Sequence, residues 1–99
     1  MPGQDGKTVI NMSWDDYAHW QRWDEWPERA DNPPLTVETT FWYQNKEYLV
    51  TSLRNEYVIV SQPDFDEIIC SDNFISLLNM PFIGNQSFKD LICEFLFEV

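Results

Sequence analysis

The sequence predicts an α+β fold: a three- to four-stranded antiparallel β-meander, with an N-terminal helix and two C-terminal helices packed on the sheet. Three observations predict it. A helix-capping pattern precedes residue 14, apolar and polar residues alternate with period two from residue 35, and apolar residues return to spacings of three and four after residue 70. A chain of 99 residues fits one domain. We place it at residues 13–99, after a loose N-terminal segment at residues 1–12.

The first element is a helix that begins near Trp14. Ser13 and Asp16 form a capping-box pattern, in which the serine oxygen accepts from an amide of the first turn and the carboxylate binds the N-cap amide. Pro27 disfavours helical angles at the residue before it, so we expect the helix to end around residue 24 or 25. The stretch "PERADNPP" then predicts a polar linker stiffened by prolines.

The strands follow from residue 35. Alternation from Leu35 to Tyr43 predicts the first strand, and "QNKE" supplies turn residues. Aromatic and β-branched residues predict further strands at Glu47–Leu53 and Tyr57–Gln62, and a fourth, short strand at Phe65–Cys70. Because the connections are short, neighbouring strands should pair antiparallel.

Two helices are expected after the strands. The first lies between a cap at Ser71 or Asp72 and a stop at Pro81, and "IGNQS" forms the next turn. A second capping box, Ser87 with Asp90, begins a helix whose apolar stripe runs to the last residue. The positions expected to dock on the sheet are Phe74, Leu77 and Leu78 in the first of these helices, and Phe88, Leu91, Ile92, Phe95 and Val99 in the second.

Composition restricts the classes of function. Seventeen Asp and Glu against six Lys and Arg give a net charge of −11, which repels nucleic-acid phosphates and anionic membranes and favours a basic protein partner. The hydrophobic fraction of 43% excludes an intrinsically disordered chain. No apolar run approaches the ~20 residues that span a bilayer, and the N-terminus lacks the pattern of a secretion signal. We therefore expect a cytoplasmic protein.

The stretch "WDDYAHWQRWDEW" carries an aromatic ring at every third position. Each three-residue step falls back by about 60° around a helix, so the five rings cannot share one face. Two interpretations remain open. Either the sheet buries Trp14 and Tyr17 while the linker covers the later rings, or one or two of Trp20, Trp23 and Trp26 stay exposed beside acidic residues.

The second interpretation defines the candidate partner-binding residues. An exposed ring inside a charged rim is the composition of an interface hot spot. The first choice of contact surface is Trp20, Trp23, Trp26, Asp24, Glu25 and Glu28, and the second choice is Asp64, Asp66 and Glu67.

The residues that could carry chemistry are few. His19 has Asp15 and Asp16 nearby on its helix, but the sequence places no nucleophile with them. The stretch "PDFDE" offers three carboxylates without the length, glycine or distal glutamate of an EF-hand, so we interpret it as a solvated turn. Cys70 and Cys93 lack metal-ligand spacing and are interpreted as small apolar residues with free thiols. We predict no enzyme activity, no cofactor and no metal.

Two classes of function follow. The first is a small acidic interaction module that binds a basic partner and inhibits or regulates it, as immunity proteins or phage-borne inhibitors do. In one variant the partner acts on nucleic acids and the carboxylates of the module mimic the nucleic acid. The alternative is a ligand-binding domain or small enzyme with a pocket between the sheet and the first helix, lined by Trp14, Tyr17, Trp42 and Tyr57. A structural subunit that packs through "FLFEV" is a further possibility, and the oligomeric state stays open.

Overall fold

An antiparallel sheet of six strands forms the centre of the fold in the computed structural model, which describes residues 8–29 and 31–98. The helices and strands, in chain order, are β1 (Val9–Ile10), α1 (Trp14–Trp20), β2 (Thr39–Tyr43), β3 (Lys46–Leu53), β4 (Glu56–Ser61), β5 (Asp66–Ser71), α2 (Phe74–Asn79), β6 (Pro81–Ile83), β7 (Gln86–Ser87), α3 (Phe88–Leu91) and β8 (Leu96–Glu98). Short 3₁₀ helices lie at Trp23–Glu25, Pro27–Arg29 and Ile92–Glu94. The strand order is β1-β8-β2-β3-β4-β5, and β6 and β7 form a separate two-stranded sheet. The predicted α+β class and antiparallel pairing are confirmed.

Two tight turns fix the register of the meander. Gln44 and Asn45 join β2 to β3, Arg54 and Asn55 join β3 to β4, and all four have positive φ. Two consecutive residues with positive φ make the type I′ turn, whose twist matches that of the flanking strands. The register therefore follows from the turns, with Phe41 opposite Tyr48 and Val50 opposite Ile59.

The core lies on one face of the sheet, beneath the helices. Phe41, on β2, contacts Phe88 of α3 and Phe95, with ring centroids 5.2 and 4.5 Å apart. The helices place their apolar residues in the same cluster, including Tyr17 of α1 and Leu77 of α2. The helices and the sheet thus form two layers, and we call the sheet face opposite the helices the outer face.

The first predicted helix and the first predicted strand are both shorter than expected. The α1 helix ends at Trp20 because Arg22 takes a left-handed conformation, with φ of 62°, and the chain continues as a 3₁₀ turn. Strand β2 begins at Thr39 rather than Leu35, since the amides of Thr36 and Val37 donate to the Gln21 side chain instead of to a neighbouring strand.

The prediction of one continuous C-terminal helix is wrong. Its capping box is present, with Ser87 and Asp90 hydrogen-bonded reciprocally, but α3 spans only four residues. The chain then becomes β8, which pairs with β1 and β2 inside the sheet, so Leu96–Glu98 belongs to the sheet and does not continue the helix. Alternation explains the change: Phe95 and Phe97 are fully buried while Leu96 is 37% exposed, as in a half-buried strand. The expected stripe position Val99 lies outside the described residues.

The remaining elements agree in position and differ in detail. Helix α2 is capped by Asn73, not by Ser71 or Asp72, and ends before Pro81 as predicted. The fourth strand is present as β5 and carries a bulge where it pairs with β4. Of the N-terminal segment expected to be loose, residues 1–7 lie outside the described residues. Residues 9 and 10 form β1, and Met12 is buried in the core.

Candidate interaction surfaces

A buried glutamine fixes the segment that carries the tryptophans. Gln21 is fully buried at the end of α1; its Oε1 accepts from the amides of Thr36 and Val37 at 2.8 and 3.0 Å, and its Nε2 donates to the Val37 carbonyl at 2.7 Å. The Tyr17 hydroxyl and the Thr39 hydroxyl, 2.7 Å apart, lie beside the same amide group. These bonds join α1, the linker, which continues through residues 35–38 in the structure, and β2 around one fully buried side chain, so the direction in which the chain leaves α1 is determined.

Three of the five aromatic rings are held against the core. Tyr17 is fully buried, and Trp14 and Trp20 are half-buried with ring centroids 6.5 and 5.9 Å from it. The Nζ of Lys89 lies 4.9 Å from the Trp14 ring, in a cation–π contact. The rings of Trp14 and Trp20 therefore pack partly on other residues of the protein and are only partly accessible to a partner.

Trp23 bridges the tryptophan segment to α2. Its ring meets Phe74 edge to face at 5.6 Å, and its indole N–H donates to the Pro34 carbonyl at 3.2 Å. A half-buried indole whose N–H is hydrogen-bonded and whose ring packs on another aromatic ring stabilises the fold. Of the three candidate tryptophans, Trp23 is thus a structural anchor of the turn that follows it.

Trp26 is the exposed ring of the series, at 40%. It lies in a turn formed by the two 3₁₀ helices; we call residues 22–29 the Trp26 turn. Asp24, Glu25 and Glu28, its acidic residues, are all exposed. Glu25 is engaged by Arg22, whose guanidinium donates two bonds of 2.9 and 3.0 Å, and this pair lowers the pKa of the Glu25 carboxyl. The structure therefore brings one open ring and two carboxylates, those of Asp24 and Glu28, to one surface segment.

The second-choice residues lie at the far edge of the sheet. Asp64 precedes β5, Asp66 begins it and Glu67 follows, and all three are exposed. The guanidinium of Arg54 lies 4.0 Å from the Glu67 carboxylate. Phe65, between them, is 43% exposed. Within residues 8–29 and 31–98, no three His, Cys, Asp or Glu side chains are grouped as metal ligands would be.

The pocket expected between the sheet and α1 is not formed by its four predicted residues. Trp42 lies between Phe41 and Tyr43, which face the core, so strand alternation puts it on the outer face, away from Trp14 and Tyr17. Tyr57 stacks on Phe74 at 5.1 Å beneath α2.

A shallow cleft does lie beside α1, of about 260 Å³, lined by Ile10, Asn11, Met12, Asp16, His19 and Trp20. The Asp16 carboxylate is used for the capping box, accepting from the Ser13 amide at 3.1 Å, and the same bonds lower the Asp16 pKa. His19 and Asp16 therefore line the same cleft, but the Asp16 carboxylate already caps the helix.

The two cysteines differ in environment. Cys70 lies half-buried in β5, and burial together with the nearby Glu56 and Glu67 raises the pKa of its thiol. Cys93, interpreted from the sequence as a small apolar residue, is exposed in the 3₁₀ helix after α3. Both thiols are free.

The sequence interpretation missed the outer face, and strand register identifies it. Successive residues of a strand point to opposite faces, and directly paired residues share a face. The residues that alternate with the core positions therefore lie together on the outer face. The apolar ones are Val9, Trp42, Leu49, Leu53, Val58, Val60, Ile68, Cys70 and Leu96, and the acidic ones are Glu38, Glu47, Glu56, Glu67 and Glu98.

In the described part of the chain, no helix is both long and apolar enough to cross a membrane. Comparison of the chain with protein-family models, with curated proteins and with solved structures gives no match. Inference of the function therefore depends on the geometry and charge of these surfaces.

Proposed function

We propose that this protein is an acidic interaction module that docks on a basic protein partner and, by covering the partner's cationic surface, inhibits or regulates it. The observation that carries the proposal is the Trp26 turn. There the indole of Trp26 is 40% exposed, in a turn that Trp23 holds against Phe74. Exposed carboxylates lie on either side of it in the sequence. A large exposed ring is the kind of side chain that dominates binding energy at protein interfaces, and charged groups around it add specificity and faster association.

The contacts that fix the Trp26 turn support a binding role. Trp23 is fixed by Phe74 and Pro34, and Gln21 fixes the end of α1. A surface that is ordered before binding loses less conformational entropy when the partner arrives, so more of the contact energy appears as affinity. Trp26 can therefore act as the anchor while its neighbours hold the backbone.

The charge of the whole chain supports a basic partner. A net charge of −11 attracts a cationic surface over several ångströms and raises the association rate. If the partner acts on nucleic acids, the carboxylates of Asp24 and Glu28 would occupy positions that phosphates otherwise take, which is the mimicry variant of this function.

The experiment is purification of partners from the source organism with the wild-type protein, followed by calorimetric titration of the purified partner against two double variants. Trp26→Ala with Glu28→Lys alters the Trp26 turn. The matched control, Phe65→Ala with Asp64→Lys, alters an equally exposed ring and acid at the second-choice surface.

We expect the Trp26 variant to weaken binding by about 30-fold or more, as loss of a hot spot does, with an unchanged melting temperature. Binding should also weaken as salt increases, since exposed charges are screened. A partner without a basic surface, or one that binds both variants as tightly as the wild type, would contradict the proposal.

A further inference from the structure

The outer face carries a diagonal apolar strip across five strands. Strand pairing places Leu96 beside Trp42, Leu49 beside Val60, and Val58 beside Cys70, so these three pairs step across the sheet from β8 to β5. Val58 and Val60 are buried, at 1% and 0% exposure, while Leu96 is 37% exposed and Trp42, Leu49 and Cys70 are half-buried. The strip therefore presents larger apolar side chains around a floor of valines.

Glutamates border this strip on both long sides. Glu38, immediately before β2, lies at one side, and its carboxylate accepts a hydrogen bond from the Thr51 hydroxyl. Glu47 is paired with Trp42 and Glu67 with Val60, which places both on the opposite side. Glu56 lies beyond the end of the strip, beside Leu53. Cations that meet this face thus find carboxylates on either side of an apolar centre.

The helices of the described chain leave this face uncovered. Those in residues 8–29 and 31–98 contribute their buried residues to the core cluster, which includes Phe41, Tyr48, Val50 and Ile59 on the other face. The linker runs on that same side, since Leu35 packs on the core cluster and Val37 binds Gln21. Sheets in α+β proteins bury an apolar face against a second layer, so an apolar outer face without a helix is suited to an intermolecular one.

We propose that the outer face receives a cationic amphipathic helix of a partner protein, with the apolar stripe of the helix on Trp42, Leu49 and Leu96 and its lysines or arginines on the flanking glutamates. This inference rests on the proposed function, because it takes the partner to be basic. A helix with an apolar stripe between rows of cations is the complement of an apolar strip between rows of carboxylates. A second copy of this chain would bring glutamates against glutamates, which disfavours pairing of two outer faces.

The dimensions fit a short helix. Five neighbouring strands span about 19 Å, and the rows from Trp42 to Glu38 add about 13 Å along the strands, so the diagonal is about 23 Å long. A helix rises about 1.5 Å per residue, and about 15 residues, roughly four turns, would cover it.

The test uses synthetic peptides of about 15 residues as probes. One is an amphipathic helix with a leucine stripe flanked by lysines. A second has the same composition in scrambled order, and a third keeps the stripe but replaces the lysines with glutamates. Binding to the full chain is measured by calorimetry, and the contact surface is located from the five tryptophan indole N–H signals in NMR spectra.

We expect only the first peptide to bind and to shift the Trp42 indole signal, leaving that of Trp26 in place. Charge reversal on the outer face, Glu47→Lys with Glu67→Lys, should weaken binding at least about tenfold. The matched reversal of two exposed acids outside both surfaces, Asp72→Lys with Glu94→Lys, should leave it unchanged. Circular dichroism establishes that both variants are folded.

Three results would overturn the inference: equal binding of the scrambled peptide, a shift of Trp26 in place of Trp42, or self-association of the chain that Trp42→Thr abolishes. The last would show that the occupant is a second copy. A basic partner that needs Trp26 but is indifferent to the Glu47 and Glu67 reversal would overturn this inference and leave the proposed function standing. If the variants of neither surface change the binding of a basic partner, the proposed function fails as well.

Discussion

At the scale of single residues, the most constrained group is the phenol of Tyr17. It is fully buried, and burial raises its pKa well above the ordinary value of 10.0, against the smaller opposing effect of its hydrogen bonds with Thr39 and Gln21. The folded protein therefore keeps this phenol neutral at pH values where an unfolded chain would ionise it.

The free energy of unfolding should accordingly depend on pH in the alkaline range. Because the folded pKa of Tyr17 is raised, its contribution is fully present below about pH 10 and is lost as the pH rises further, by about 1.4 kcal/mol per pH unit. Urea denaturation at several alkaline pH values measures this slope. In Tyr17→Phe the slope should be smaller by that amount, and an identical slope would contradict the prediction.

At the scale of elements, Gln21 connects three parts of the chain that have little other reason to meet. It is the C-cap residue of α1, and its amide group binds both an N–H and the carbonyl of Val37 in the linker and lies beside Thr39 of β2. Loss of this side chain would leave partly buried backbone groups without partners, which costs more than the bonds themselves contribute.

Gln21→Ala should lower the free energy of unfolding by about 2–4 kcal/mol, since two amides and one carbonyl lose their partner. The control Gln86→Ala removes an exposed glutamine from β7 and should change stability by less than about 0.5 kcal/mol. Chemical denaturation of both variants measures the difference. Equal stabilities would show that the linker is held by other contacts.

The same glutamine shows where sequence patterns succeed and where they fail. The capping boxes at Ser13 and Ser87, and the hairpins around Asn45 and Asn55, are local, and each was predictable from a few neighbouring residues. A polar residue within an aromatic helix gave no sign that it would bind residues 15 and 16 positions away. The linker residues it holds alternate like a strand, so period two alone extended the predicted strand to Leu35.

The candidate site was predictable only in part, for a related physical reason. Exposure of Trp26 and its acidic neighbours follows from local spacing and was one of two open interpretations. The outer face depends on which strands are neighbours and on which side the helices pack. Leu96 and Trp42 are 54 positions apart, and the stripe of threes and fours after residue 87 hid the strand that brings them together. The uninterrupted apolar runs at residues 48–50 and 57–60, which make both faces of β3 and β4 apolar, were the signal that could have indicated it.

At the scale of the whole molecule, charge opposes folding. The chain of 99 residues carries seventeen acidic and six basic residues, and the ion pairs of Arg22 with Glu25 and Arg54 with Glu67 are both surface pairs, which contribute little. Self-repulsion of the remaining carboxylates lowers the stability of the folded state, and a cationic partner would relieve it.

Salt should therefore stabilise the isolated protein. An increase in NaCl from about 0.01 M to about 0.3 M screens the repulsion and should raise the melting temperature by about 4 °C or more, which corresponds to about 1 kcal/mol. The control is a triple variant with fewer exposed acids, Asp24→Asn, Glu28→Gln and Asp64→Asn, whose melting temperature should respond less. A melting temperature that is constant or falls with salt would contradict this view of the charge balance.

The position of β8 determines when the sheet can be completed during synthesis. Strands β2 to β5 pair with their neighbours along the chain, and a nascent polypeptide can form them as it leaves the ribosome. Val9 and Ile10 pair with Glu98 and Phe97 instead, so β1 has no partner in the sheet until the last strand has emerged from the exit tunnel. Until then one edge of β2 is unpaired, and the nascent chain must avoid aggregation while Phe41 lacks its contact with Phe97.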